Sequence, residues 1–301
     1  MAWQVMAPWF FPAAITSLVI DRPRRRGQIA GMSQHAPSPP APFGRLVRAW
    51  REQRHLSQLG LALEAEISQK HLSFIETGRA APSRDMVARL AEHLDVPLRE
   101  RNILLVAAGF APVFHERSLD DPALARASAA VARILKAHEP YPALTVDRHW
   151  TMLAANAAVP PMLAGVDPVL LRPPVNVLRV SLHPRGLAPL IVNLGEWRAH
   201  LLERLRRQAR MVPDPVTDAL LRELQGYPGA PGKALAQPDD IAVALRLRTH
   251  AGVLSFISTI TVFGTPTEIT LSELSLEAFY PADDATAAAL RAPAAMPSPI
   301  S

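Results

Sequence analysis

The stretch from Leu56 to Arg79 constrains this chain more than any other. Ser57 and Ser68 each precede a short run with helical apolar spacing, and only Ala65-Glu66-Ile67 separates the first run from Ser68. A serine hydroxyl accepts from the free N–H groups that open a helix, so each serine reads as a cap. The spacing predicts one helix over Gln58–Ala65 and a second over Gln69–Glu76, with Gly78 placed to end it. Helices this short are not stable alone and must pack on each other and on a core. Ala62 is the small residue that allows a close crossing, while Ile67 anchors the turn. Leu72 and Ile75 hold the second helix inward, which leaves Gln69, Lys70 and Ser73 outward at its start. Ala65-Glu66 makes a tight turn less readily than a glycine would.

The flanking residues supply the core. Leu46, Val47, Trp50 and Arg54 recur at helical spacing ahead of the pair. Pro82-Ser83 opens a fourth helix with Met86, Val87, Leu90, Ala91 and Leu94 on one face. Pro97 takes the first position of a fifth, with Ile103, Leu104, Leu105 and Ala108 inward. Residues 43–117 therefore read as an all-α, five-helix domain. Of the net charge of +5, residues 1–42 carry +3, residues 43–117 carry +2, and residues 118–301 are balanced. This mild bias permits phosphate contact without demonstrating it. Arg45, Arg48, Arg51 and Arg54 drift around the first helix, so some are placed to meet phosphates while others only solvate the surface.

Beyond residue 118 the pattern changes. Ala123–His138 reads as one more helix. Ala143–Val146 and His149–Ala154 flank Asp147-Arg148 as a hairpin, and Asn156–Leu163 as a short helix. Gly195–Arg210 is amphipathic, with Trp197, Leu201, Leu202 and Leu205 inward and Arg204, Arg206, Arg207 and Arg210 outward. Asp214–Leu224 is a further helix, and Ile241–Thr249, Val253–Phe263 and Glu268–Phe279 are strands. The region is mixed α+β. Residues 1–42 read as a disordered tail and proline-rich linker, and 291–301 as a disordered tail. For residues 1–31 an upstream start site and a membrane anchor stand as alternatives. The apolar run there is broken by Gln4, Pro8 and Pro12, and its arginines follow it, unlike a secretory signal.

Several function classes are excluded or weakened. Cysteine is absent, which removes disulfides, thiolate zinc sites and cysteine nucleophiles and suits a cytoplasmic protein. The ten histidines show no paired metal spacing, and no glycine-rich phosphate loop occurs. No enzyme activity, metal or cofactor is expected.

Two capped helices with an outward polar start to the second form a helix-turn-helix. The pattern Leu56-Ser57-Gln58, Ala62, Ile67-Ser68, Leu72, Ile75-Glu76, Gly78, Pro82-Ser83, Leu90-Ala91 and Leu94-Asp95-Val96-Pro97 resembles the Xre-type, phage-repressor-like regulators. The resemblance implies double-stranded DNA as partner. Its DNA-facing set maps onto Ser57, Gln58, Ser68, Gln69, Lys70, Ser73 and Arg79. Gly60 departs from the acidic residue that often completes a capping box, and Phe74 from a polar position; Phe74 is expected to pack inward. The run from His71 to Pro112, with Leu119–Leu124, Val146-Asp147-Arg148-His149-Trp150 and Leu276–Asp283, resembles the MmyB-like subfamily. That resemblance implies a PAS-like (MltR-type) ligand-binding and dimerisation domain over 118–290 and a small apolar, fatty-acid-like ligand. Trp150, Trp197, Leu201, Phe256 and Phe263 are the candidate lining, though aromatic residues at such spacings are more often plain core. Arg148, Arg179, His183, Arg185, Arg246 and Arg248 are candidate anchors for a ligand carboxylate. The expected protein is thus a multidomain, homodimeric, ligand-controlled transcription regulator. The alternative is a protein-interaction or antitoxin-like module that uses the helix-turn-helix as a scaffold.

Overall fold

The computed structural model describes residues 42–229, 243–264 and 266–292. Residues 1–41 and 293–301 of the expected tails, and Ile241-Ala242 of the expected strand, lie outside them, while Arg291 of the expected C-terminal tail ends a helix. The chain divides into two compact units.

The N-terminal unit holds five helices: α1 (Phe43–Gln53), α2 (Gln58–Glu64), α3 (Gln69–Glu76), α4 (Arg84–His93) and α5 (Leu98–Ala107). Three serines cap as their positions require. Ser57 accepts from Gly60 N at 2.9 Å, Ser68 from His71 N at 3.1 Å and Ser83 from Met86 N at 3.2 Å. Val47, Leu61, Leu72, Ile75, Leu90, Leu94 and Leu104 close the core. Ile103 was expected inward but is half exposed, because Leu104 and Leu105 take the buried side of α5. Pro97 stands at the N-cap of α5, one residue before its first helical position.

Two local features are tight. A Cβ on Gly44 would lie 2.3 Å from Ile75 O and 2.5 Å from Glu76 O, so only glycine lets α1 seat against the end of α3. Glu66 makes the α2–α3 turn at φ +53°, the left-handed region that costs an L side chain roughly 1–2 kcal/mol.

The unit also takes in Phe263–Glu273 from far along the sequence. Glu268–Ser272 was expected as the start of a strand but turns into the one-turn helix α11 (Ile269–Ser272), capped by Glu268. The segment is tied down by hydrogen bonds: Ile269 N to His115 O, Arg117 N to Glu268 Oε1, and Thr270 Oγ1 to Arg117 O at 2.6 Å. Arg99 on α5 holds Glu273 through Nε and Nη2 (2.7 and 2.8 Å) and Glu116 through Nη1 and Nη2 (2.6 and 2.7 Å).

The C-terminal unit is α+β. Its strands are β1 (Ala143–Val146), β2 (Met152–Ala155), β3 (Leu245–Thr249), β4 (Gly252–Val262) and β5 (Ser275–Pro281). They form one antiparallel sheet in the order β2-β1-β5-β4-β3, with β5 at the centre. The turn between β1 and β2 is wider than a two-residue hairpin: Asp147 accepts from the N–H groups of His149 and Thr151. The helices are α6 (Ala125–Ala137), α7 (Val159–Met162), α8 (Val177–Leu182), α9 (Leu194–Met211), α10 (Pro215–Gln225) and α12 (Asp284–Arg291). On α9, Trp197, Leu201, Leu202 and Leu205 are buried as their spacing requires. Arg204 was expected outward and is instead half-buried, because a tryptophan and a glutamate receive it.

Gly44→Ala should lower the stability of the N-terminal unit by about 1–3 kcal/mol, the usual cost of overpacking. Glu66→Gly should raise it by about 0.5–1 kcal/mol, since relief of strain exceeds the added chain entropy. Urea unfolding of the full chain, followed at amides of this unit by hydrogen exchange, measures both.

Candidate nucleic-acid interface and apolar cavity

The start of α3 carries the candidate interface. Gln69 and Lys70 are exposed, and Ser73 is half-buried one turn on. Ser57 and Ser68 are exposed too, but their hydroxyls serve as caps. Arg79 is exposed just past α3. Phe74 does not pack into the core. It lies about one residue's rotation from Ile75 and stays half-buried, with Lys70 Nζ 5.7 Å and the Arg79 guanidinium 5.9 Å from its ring centre. It therefore links the two cations at the edge of what a cation–π contact spans.

A buried ion pair positions α3. Arg51 on α1 meets Glu76 at the end of α3 through two hydrogen bonds, Nε–Oε1 at 2.6 Å and Nη2–Oε2 at 3.0 Å. Its Nη1 donates to Leu56 O at 2.9 Å. Arg51 is 8% exposed and Glu76 7%. The Glu76 hydrogen bond is the largest influence on the Arg51 guanidinium and holds it protonated above its ordinary range. Gln58 Nε2 donates to Glu76 Oε2 at 2.8 Å, so one of its two amide hydrogens is committed inside the domain. The arginines of α1 thus divide. Arg51 is structural, Arg54 lies 5.2 Å over Trp50 and bonds the Leu94 and Asp95 carbonyls, Arg48 pairs with Glu52, and Arg45 is exposed. The Arg51–Glu76 pair was not expected from the sequence, where its one signal is two ionisable residues at otherwise inward helical positions.

The C-terminal unit contains an apolar cavity of about 80 Å³. Leu144, Met152, Met162, Val180, Leu245 and Phe279 are among its apolar walls. Trp197 and Leu201 are also in its wall. Trp150 and Phe256 are not: Phe256 is fully buried edge-on to Phe279, and Trp150 packs elsewhere in the core. Phe263 lies in the segment that belongs to the N-terminal unit. The expected carboxylate anchors do not line the cavity either. Arg179 is held by Glu223 at 2.7 and 2.8 Å and Arg185 by Asp167 at 2.6 Å, while Arg246 and Arg248 are exposed. Arg179 borders a broader depression of about 410 Å³ with His149, Asn176 and Leu220. That depression is larger but of mixed polar and apolar lining, and the smaller cavity is the one walled like a site for an apolar ligand.

The ionisable group in the cavity wall is Glu277, on the central strand and 5% exposed. Its Oε1 accepts from Arg204 Nη1 at 3.1 Å. The Arg204 guanidinium lies 4.2 Å over the Trp150 ring, whose Nε1 donates to Gln208 at 2.9 Å. Burial raises the Glu277 carboxyl above its ordinary range and lowers Arg204, outweighing their mutual attraction in both. Arg204 Nη2 is buried without a partner. On the exposed side of α9, Arg206, Arg207 and Arg210 gather around Glu203.

Among the described residues, no group of three His, Cys, Asp or Glu could hold a metal ion, and no helix is long and apolar enough to cross a membrane. The family model described as the MmyB-like transcription regulator ligand binding domain matches residues 127–292. A helix-turn-helix model matches residues 47–101. No curated protein matches the chain.

Arg51→Ala should cost about 3–5 kcal/mol, because Glu76 is left charged and buried. Arg51→Met combined with Glu76→Leu should recover most of that loss in a chemical denaturation series. A single substitution that costs under 1 kcal/mol would show that the pair does not hold α3.

Proposed function

The chain belongs to the MmyB-like transcription regulators, and from that membership we propose that it reads specific duplex sequences through α3 under control of a small apolar ligand. One observation carries the reading. Gln69 and Lys70 stand exposed side by side at the start of a helix whose other face is anchored by Leu72, Ile75 and Glu76. Side chains at the start of a recognition helix are those that reach base edges in the major groove. Glutamine matches an adenine edge and lysine donates to guanine O6 and N7. Ser57, Gln58, Ser68, Ser73 and Arg79 are assigned to backbone contacts around them.

One such unit covers too little DNA for tight specific binding, so the acting form is a homodimer on a two-fold related site, half-sites about 10 base pairs apart. The C-terminal unit supplies the dimer contact and the cavity holds the ligand. The protein acts in the cytoplasm without catalysis.

A second reading has one observation in its favour. Leu59 and Leu63, one turn apart on α2, are 52% and 70% exposed. An apolar strip there fits a protein contact, as in an interaction or antitoxin-like module.

A mobility shift on duplex DNA from upstream of the chain's own gene separates the readings. Gln69→Ala and Lys70→Ala should each weaken specific binding by about 1–3 kcal/mol and random-sequence binding by less. Wild-type affinity and preference in both variants would overturn the base-reading assignment. Absence of any DNA complex would favour the second reading.

A further inference from the structure

We propose that the cavity selects a neutral amphiphile whose polar end is a hydroxyl group donating to Glu277, in preference to a carboxylate or an amine. The inference rests on the cavity being the ligand site, as proposed above.

Glu277 lies on the central strand β5. It pairs across the sheet with Leu144 on β1 and Ile260 on β4, so it shares the face of its strand with apolar neighbours. A carboxyl there is costly to bury and is retained only with a partner. Arg204 is that partner, but the contact is single: Nη1 meets Oε1, and Oε2 has no hydrogen bond among the described residues. Glu277 borders the cavity, whereas Arg204 does not. The cavity therefore offers a bound ligand a buried acceptor. The charge behind that acceptor is already balanced.

Three head groups can be compared on that basis. A carboxylate brings a second negative charge against Glu277, and the one cation near it is engaged behind the wall. Like charges in a medium of low dielectric repel strongly. An ammonium satisfies Oε2, but it places an unbalanced positive charge near Arg204 and gives up its own hydration. A hydroxyl donates to Oε2, adds no charge and loses little hydration. Ser181, also in the wall, accepts from Trp197 Nε1 at 2.9 Å and keeps its own O–H to donate. A hydroxyl both donates and accepts, so either wall group offers it a partner.

Size limits the tail rather than the head group. A cavity of roughly 150 Å³ lined by apolar side chains accepts benzene, and this one is about 80 Å³. It holds only a few carbons as it stands, so a six-carbon tail enters by outward adjustment of the half-buried Met152 and Met162. A long acyl chain would need the wall to open much further.

The test uses the full chain and three probes with one tail: 1-hexanol, hexylamine and hexanoate at neutral pH. Saturation-transfer NMR gives their affinities for wild type, Leu201→Phe and Glu277→Gln. Hexanol should bind wild type at least about tenfold tighter than either charged probe, about 1.4 kcal/mol. Leu201→Phe, which fills the cavity, should weaken all three. Glu277→Gln leaves Arg204 unpaired and should shift the preference toward hexanoate. The wild-type series decides by itself if that variant does not fold. Hexanoate or hexylamine binding as tightly as hexanol overturns the head-group assignment and leaves the cavity as ligand site. No binding by any probe, or binding untouched by Leu201→Phe, overturns the cavity reading itself.

Discussion

The Arg51–Glu76 ion pair is the interaction on which the N-terminal unit depends. It joins the last turn of α1 to the last residue of α3, two helices that the chain reaches 25 residues apart. A purely apolar contact would permit small rotations of an eight-residue helix. Two parallel hydrogen bonds between a guanidinium and a carboxylate fix both distance and angle. Gly44 lets the first turn of α1 touch the carbonyls of Ile75 and Glu76, and Gln58 bonds the same carboxylate from α2. Three helices therefore converge on one carboxylate. The opposite end of α3 is then presented at a defined height, with Gln69 and Lys70 outward. Such a pair is costly to desolvate, and the return is geometry more than net stability.

The C-terminal unit is organised around β5. Its position at the centre of the sheet puts Glu277 and Phe279 into the cavity wall. Arg204 crosses from α9 over the Trp150 ring to meet Glu277. Four residues before Glu277 the chain runs through Glu273, which Arg99 holds in the N-terminal unit. The strand that borders the cavity is thus continuous with a segment fastened to the helical domain. For a ligand to change DNA affinity tenfold it must favour one conformation by about 1.4 kcal/mol, and a single redirected hydrogen bond is of that size.

Much of the helical domain was legible because caps and turns are local. Ser57, Ser68 and Gly78 mark their helix ends with residues whose chemistry acts within one turn. The C-terminal unit was less legible because its features depend on distant partners. Arg204 sits at an outward-looking helical position, and nothing nearby reveals that Trp150 and Glu277 will cover it. The stretch from Glu268 has the composition of a strand, yet hydrogen bonds to residues more than 150 positions away turn it into α11. The same holds for ligand anchors. Arginines look like carboxylate receptors in sequence, but Arg179 and Arg185 are spent on Glu223 and Asp167, and the charge left in the cavity wall is an acid.

The central claim is that α3 reads sequence. Selection of bound duplexes from a random library by the full chain, run in parallel with the Gln69→Ala, Lys70→Ala double variant, tests it most directly. The account predicts an enriched inverted repeat for the natural chain and its loss or alteration in the variant. Enrichment of the same sequence by both proteins, or of none by the natural chain, would contradict it.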